Sequence, residues 1–198
     1  MKGVKDLPDN HQSKDIRPSL PLAANEGIGY LFETYHGRIY QVCFRLMGQQ
    51  QEAEDITQDV FLKAYQAYDR FRGDSDPGTW LYRIAVNQCL NQQRKQRRQR
   101  WLALDFWNEN TDEALDEKGR VGGADEHLQE ADKKRIVRAA ISELPERQRV
   151  ALILSRYDRL SYQDIAVVMA CSISSVESLL HRSKINLAKR LRPYLQDL

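Results

Sequence analysis

From Ile28 onward, apolar residues recur at helical intervals. Leu31, Phe32, Tyr35, Ile39, Val42, Cys43 and Leu46 follow the i, i+3, i+4, i+7 spacing of one buried helix face. The pattern breaks near Gly48 and resumes from Gln51 to Tyr68, with Ile56, Val60, Ala64 and Tyr68 on the apolar side. Phe71-Arg72-Gly73-Asp74-Ser75-Asp76-Pro77-Gly78 is dense in turn formers and reads as a loop. Thr79 is a candidate cap for a third helix through Arg100, with Trp80, Leu81, Ile84, Ala85 and Cys89 inward. Helical periodicity returns at Ile136, Val137, Ala140, Ile141 and Leu144, and Pro145 suits the first turn of a helix reaching Tyr157. No useful strand alternation and no internal repeat occur, so the pattern predicts an all-α chain.

The last forty residues carry the sharpest local signal. Ser161-Tyr162-Gln163-Asp164 resembles a capping box and opens a short helix through Met169. Ala170-Cys171-Ser172-Ile173 reads as a turn. Ser174-Ser175-Val176-Glu177 then reads as a second capping box, opening a helix to about Leu191 that Pro193 stops. Short helix, tight turn and longer helix make a helix-turn-helix. On the last helix Val176, Leu180, Ser183, Leu187 and Leu191 share a face that would pack on Ile165, Ala166 and Met169. The opposite face shows Ser174, Ser178, His181, Arg182, Ile185 and Lys189. A recognition helix brings its N-terminal residues nearest the bases, where Glu177 suits a cytosine amino group and Arg182 a guanine or a phosphate. An ordinary helical hairpin with a solvated face is the plainer alternative.

Charge changes the picture because it is segregated. The net charge is only +2, yet residues 94–100 hold five basic groups and no acid, and so do residues 181–192. Between them, residues 101–132 hold ten acids against two bases and contain Gly119, Gly122 and Gly123. Two basic segments around an acidic one suggest two nucleic-acid contacts joined by a linker. The divisions that follow are a flexible tail at 1–25, a helical domain at 26–100, an acidic linker at 101–127 and a helix-turn-helix domain at 128–198. No apolar run nears the ~20 residues needed to span a bilayer, and the first 22 residues lack a signal-peptide core. A cytoplasmic protein without membrane insertion is therefore expected.

Catalysis finds no footing. There is no Gly-rich phosphate loop, no nucleophile–base set, and no spacing of the three cysteines and four histidines that would hold a metal. Cys43 and Cys89 fall among apolar helical positions and read as buried hydrophobes. No enzyme activity, cofactor or metal is expected.

Two surfaces remain. Asp55, Gln58, Asp59, Leu62 and Gln66 cluster opposite the apolar side of the second helix. A leucine amid acids and amides suits a basic protein partner, although by itself such a stripe reads first as a solvated face with one stray apolar residue. The third helix interleaves Trp80, Tyr82 and Arg83 with later bases, a mixture suited to single-stranded DNA. Trp80 reads as core, which leaves Arg83, Asn87 and the preceding loop as the better binding candidates.

Taken together, these residues resemble the extracytoplasmic-function (ECF) group of bacterial sigma factors over about residues 28–100 and 128–195. The motifs are Asp55-Ile56-Thr57-Gln58-Asp59-Val60-Phe61-Leu62-Lys63-Ala64-Tyr65, Phe71-Arg72-Gly73-Asp74-Ser75, and Thr79-Trp80-Leu81-Tyr82-Arg83-Ile84-Ala85-Val86-Asn87. Leu144-Pro145-Glu146-Arg147-Gln148-Arg149 and Leu160-Ser161-Tyr162-Gln163-Asp164-Ile165-Ala166 follow in order. The resemblance implies that Asp55, Gln58, Asp59, Leu62 and Gln66 dock on a coiled coil of the β′ subunit of core RNA polymerase, with β as a further partner. It implies that Phe71, Arg72, Gly73, Asp74, Ser75, Arg83 and Asn87 open and read the −10 element, the loop holding a flipped base. Ser174, Ser175, Glu177, Ser178, His181, Arg182 and Lys184 would read the −35 element of promoter DNA as duplex. An anti-sigma partner and a monomeric free state are also implied.

The chain departs from the family at Pro77-Gly78, where a bulky residue is common before Thr-Trp. It departs again at Ala170, where the turn often has Gly, and at Glu177 and Leu179, where bases are frequent. Two other readings compete: a stand-alone helix-turn-helix regulator, which would bind duplex DNA tightly by itself, and a helical interaction module, which would bind neither DNA nor polymerase.

Overall fold

The computed structural model describes residues 24–71, 76–107 and 126–194. Seven α-helices and two short 3₁₀ turns account for the regular structure among them. Helix α1 (Ala24–Met47) and helix α2 (Gln50–Ala67) form an antiparallel pair. Gly48 reverses the chain between them at φ 81°, a left-handed conformation that favours glycine. A 3₁₀ turn at Tyr68–Arg70 leads out of α2, and helix α3 (Pro77–Trp107) lies across both earlier helices. Leu31, Ile39, Val42, Val60, Leu81 and Ala85 are fully buried between the three. Each large aliphatic side chain removed from water there contributes about 1.5–3 kcal/mol. Cys43 and Cys89 are buried in the same core; contact with Cys43, followed by burial, pushes the Cys89 thiol up, so it packs as a neutral group. Phe32, by contrast, is 46% exposed: it sits at the edge of the helical stripe rather than in it.

The cap of α3 is Asp76, not Thr79. Its Oδ1 accepts from the Gly78 N–H at 2.8 Å and the Thr79 N–H at 3.2 Å, satisfying two free amides of the first turn. Thr79 is buried one turn further in. The helix also continues past Arg100 to Trp107, so its last seven residues, not a linker, follow the basic run.

Helix α4 (Glu126–Ser142) and helix α5 (Glu146–Arg156) precede the helix-turn-helix, formed by helix α6 (Tyr162–Val168) and helix α7 (Ile173–Leu191). The axes of α6 and α7 meet at 99°, in the range of this motif. Ser161 caps α6 as its sequence suggests, its Oγ accepting from the Asp164 N–H at 3.1 Å. The cap of α7 lies two residues earlier than Ser174. Ser172 has extended backbone, and its Oγ accepts from the Ser175 N–H at 3.2 Å. Val176 and Leu180 are buried in one cluster with Ile165 and Ala166, as the periodicity predicts, and Ser183 is buried on the same helix with its Oγ donating to the Leu180 carbonyl.

These two helical regions share one core. Ala151, Leu154, Ile165 and Val168 belong to the same buried cluster as Leu31, Leu81 and Val86. Polar links join the regions as well. The Tyr82 hydroxyl donates to Asp158 Oδ1 at 3.4 Å, Thr79 Oγ1 donates to Asp164 Oδ1 at 3.3 Å, and Arg149 Nη2 donates to Gln93 Oε1 at 2.8 Å. Arg94 meets Glu146 at 3.2 Å and Arg45 meets Asp158 at 3.9 Å. The tail at 1–23, most of the loop after Phe71 (residues 72–75), the acidic stretch 108–125 and residues 195–198 lie outside the described residues.

Candidate polymerase- and promoter-binding surfaces

Helix α2 turns Ala53, Ile56, Thr57, Val60, Phe61 and Ala64 inward, and this fixes what faces outward. Asp55, Gln58, Asp59, Leu62 and Gln66 are all exposed on one stripe, with Leu62 at 55%. Gln51 Nε2 donates to Asp55 Oδ1 at 3.1 Å and aligns that carboxylate along the helix. Beside the stripe lies an aromatic extension that helical periodicity assigned to the core or passed over. Phe32 meets Phe61 edge-on with ring centroids 4.9 Å apart and lies tilted against His36 at 4.5 Å, and Tyr65, one turn beyond Phe61 on α2, is 49% exposed. The signal for it was local: Phe61 and Tyr65 stand four residues apart on α2, on the edge that meets α1.

At the start of α3, Phe71 stacks on Trp80 with ring centroids 4.7 Å apart and planes at 30°. This anchors the near end of the loop; Arg72, Gly73, Asp74 and Ser75 lie outside the described residues. Arg83 and Asn87 are exposed one turn apart on the same helix. The Pro77-Gly78 departure has a steric reason. A side chain on Gly78 would place its Cβ 2.6 Å from a Tyr35 ring carbon and 2.9 Å from Asp76 Oδ1. The Tyr35 ring therefore fills the space that a bulky residue would take. Burial, then the nearby Asp76 carboxylate, raises the Tyr35 pKa and keeps its hydroxyl protonated.

On α7, Ser174, Glu177, His181, Arg182 and Lys184 are exposed, while Ser175 and Ser178 are half-buried. The seven do not act alike. Ser172 Oγ lies 3.0 Å from Ser174 Oγ and 2.8 Å from Ser175 Oγ, so both hydroxyls belong to the cap network. Glu177, Ser178, His181, Arg182 and Lys184 lie beyond it, along the outward side of α7. Asn186 Nδ2 donates to Gln148 Oε1 at 2.8 Å and Arg190 Nη2 donates to the Glu143 carbonyl at 3.0 Å, fixing α7 on α5 and on the end of α4. Among the described residues, no group of three or more His, Cys, Asp and Glu side chains is placed to hold a metal, and no single helix is long and apolar enough to cross a membrane.

Known proteins share this arrangement. Residues 31–99 match Sigma-70 region 2, and residues 134–187 match Sigma-70, region 4. The RNA polymerase sigma-H factor of Pseudomonas aeruginosa is 35% identical over 167 residues, covering 82% of this chain and 85% of that protein. The ECF RNA polymerase sigma-E factor of Escherichia coli is 34% identical over 149 residues, 73% of this chain and 76% of the relative. The sigma factor RpoE from Bartonella quintana, solved with the anti-sigma factor NepR, superposes with a TM-score of 0.62 at 24% identity over 84% of this chain and 98% of its own. CnrH, solved with the cytosolic domain of CnrY, gives 0.61 at 20% identity over 85% and 90%. With both regions in order and relatives matched across most of its length, the chain belongs to the ECF group of bacterial RNA polymerase sigma factors.

Proposed function

We propose a division of labour among the three surfaces of this transcription initiation factor. The domain at 26–100 docks on core RNA polymerase through Asp55, Gln58, Asp59, Leu62 and Gln66 of α2, with Phe32, His36 and Tyr65 extending the contact. The Phe71–Ser75 loop with Arg83 and Asn87 captures and reads the −10 element as it opens. Base capture costs a few kcal/mol of unstacking, and the stacked Phe71–Trp80 pair offers a rigid base on which the loop can hold a flipped nucleotide. Glu177, Ser178, His181, Arg182 and Lys184 of α7 read the −35 element in the major groove, while Ser174 and Ser175 set the helix start. The acidic stretch within 101–127 connects the two through the polymerase. The protein works in the cytoplasm as a monomer before it joins the polymerase, and an inhibitory anti-sigma protein holds it when its genes are not needed.

The observation that carries this reading is Leu62: 55% exposed, flanked by Asp55 and Asp59, on the side of α2 that the fold leaves uncovered. A large apolar group amid carboxylates is the anchor a basic coiled coil would seek. Leu62→Asp is expected to weaken binding of core polymerase about 30-fold or more, as for an interface anchor worth ~2 kcal/mol. Helix content by circular dichroism should stay unchanged. Undiminished binding would remove this face from the assignment.

A further inference from the structure

Where the two helical regions meet, α1, α4 and α5 enclose a cleft of about 880 Å³ that shares no residue with the three surfaces above. Gln41, Phe44 and Arg45 share one face of α1, and Val137, Arg138 and Ile141 share one face of α4. Each wall thus sets an apolar side chain beside an arginine. Tyr157 of α5 completes the lining from the second region. The Arg45 guanidinium lies over the Tyr157 ring, 4.7 Å from its centroid, and 3.9 Å from Asp158, so it is held in place on this wall. Val137 and Tyr157 are exposed large apolar groups, while Ile141 is buried. Lys133 adds a further cation, and no acidic side chain lines the cleft among the described residues. The volume falls in the range of ~300–1,000 Å³ that holds small organic ligands. Flat apolar faces suit a planar ring system, and the planar fork of arginine matches phosphate oxygens in pairs. Several cations without a carboxylate among them call for a ligand of more than one negative charge.

We propose that this cleft binds a nucleoside polyphosphate that bridges the two regions, its base against Phe44, Val137 and Tyr157 and its phosphates held by Arg45, Lys133 and Arg138. Helix α1 belongs to the first region, and α4 and α5 belong to the second, so the ligand touches both. A ligand that touches both binds the packed arrangement in preference to separated regions and shifts the population toward packing by that difference in affinity. The site is independent of the polymerase- and promoter-binding assignments.

The test is calorimetric titration of the full-length chain in magnesium-free buffer, with ATP as the probe and its two halves, adenosine and inorganic triphosphate, as controls. One ATP is expected per chain, with each half bound roughly tenfold or more weakly. Arg138→Glu, at an exposed position on the α4 wall, should weaken ATP binding roughly tenfold or more, with helix content by circular dichroism unchanged. Gln41→Glu, which adds a negative charge at an exposed position on the α1 wall, should weaken it roughly threefold or more. Arg147→Ala removes an exposed arginine outside the cleft and should bind ATP as wild type does. Triphosphate bound as tightly as ATP would overturn the proposal, because charge alone would account for it. So would ATP affinity unchanged in Arg138→Glu, and a loss in Arg138→Glu with none in Gln41→Glu would remove the bridge between regions. A single-stranded trinucleotide bound more tightly than ATP, and lost in the same variants, would assign the cleft to a nucleic-acid strand and overturn the mononucleotide reading.

Discussion

Ala170 adopts φ 47° in the turn that joins the two helices of the helix-turn-helix. Left-handed backbone costs an L-residue about 1–2 kcal/mol, which glycine does not pay. Ala170→Gly is therefore expected to raise stability by up to ~1 kcal/mol, after allowing for the greater entropy that glycine loses on folding. For a chain of this length that is ~2–4 °C in the midpoint of thermal unfolding. A lowered midpoint would mean that the turn gains something from the methyl group that the backbone argument omits. The departure was legible as Ala where related turns have Gly; that the turn keeps the left-handed geometry despite it was not. The α7 cap failed to read correctly for another residue-scale reason. Ser172, Ser174 and Ser175 all offer hydroxyls, and only the extended backbone of Ser172 selects among them. At Gly78, too, sequence comparison marked the unusual residue, but the Tyr35 ring that explains it comes from 43 positions earlier in the chain.

At the scale of elements, helical periodicity did most of the work. The outward stripe of α2 and the buried face of α7 are where the 3.6-residue repeat puts them, because both helices pack on one side only. The far end of α3 was misjudged because a basic run followed by aromatics resembles a boundary. Arginine, glutamine and leucine are nonetheless strong helix formers, and neither Gly nor Pro intervenes before Gly119. Arg149 shows how an element is held by a residue that composition marks as surface. It is 8% exposed; Nη1 donates to the Ser142 carbonyl at 2.6 Å at the end of α4, and Nη2 donates to Gln93 on α3. Arg149→Ala leaves both acceptors without this donor and is expected to lower stability by about 1–3 kcal/mol. A cost below ~0.5 kcal/mol by denaturant unfolding would place those groups in contact with water.

At the scale of the whole molecule, the packing of the two regions against each other was not legible. Its contacts link residues 76 or 85 positions apart through polar pairs that no periodicity encodes, such as Tyr82 with Asp158 and Thr79 with Asp164. Asp158 makes that packing pH-dependent. Burial outweighs the opposing pull of Arg45, the Tyr82 hydrogen bond and Arg38, and raises its pKa to about 6. The packed arrangement thus binds a proton more tightly than separated regions would. Its contribution from Asp158 is fully present below the ordinary carboxylate value of 3.8 and is lost as pH rises through about 6. Distance labels on α2 and α7 should report tighter packing at pH 5 than at pH 7.5, and Asp158→Asn should hold the tight arrangement across that range. An identical pH response in both proteins would assign the effect to other groups. If one chain places −10-reading and −35-reading surfaces on the same polymerase, run-off transcription with purified core RNA polymerase will show it on promoters from the protein's own genome, with wild type compared against Arg182→Ala. Discrete new start sites are expected with wild type, lost when either element is scrambled, and weakened dependence on the −35 element alone is expected with Arg182→Ala. Start sites indifferent to the −35 element, or an Arg182→Ala protein with unchanged dependence on it, would contradict the assignment.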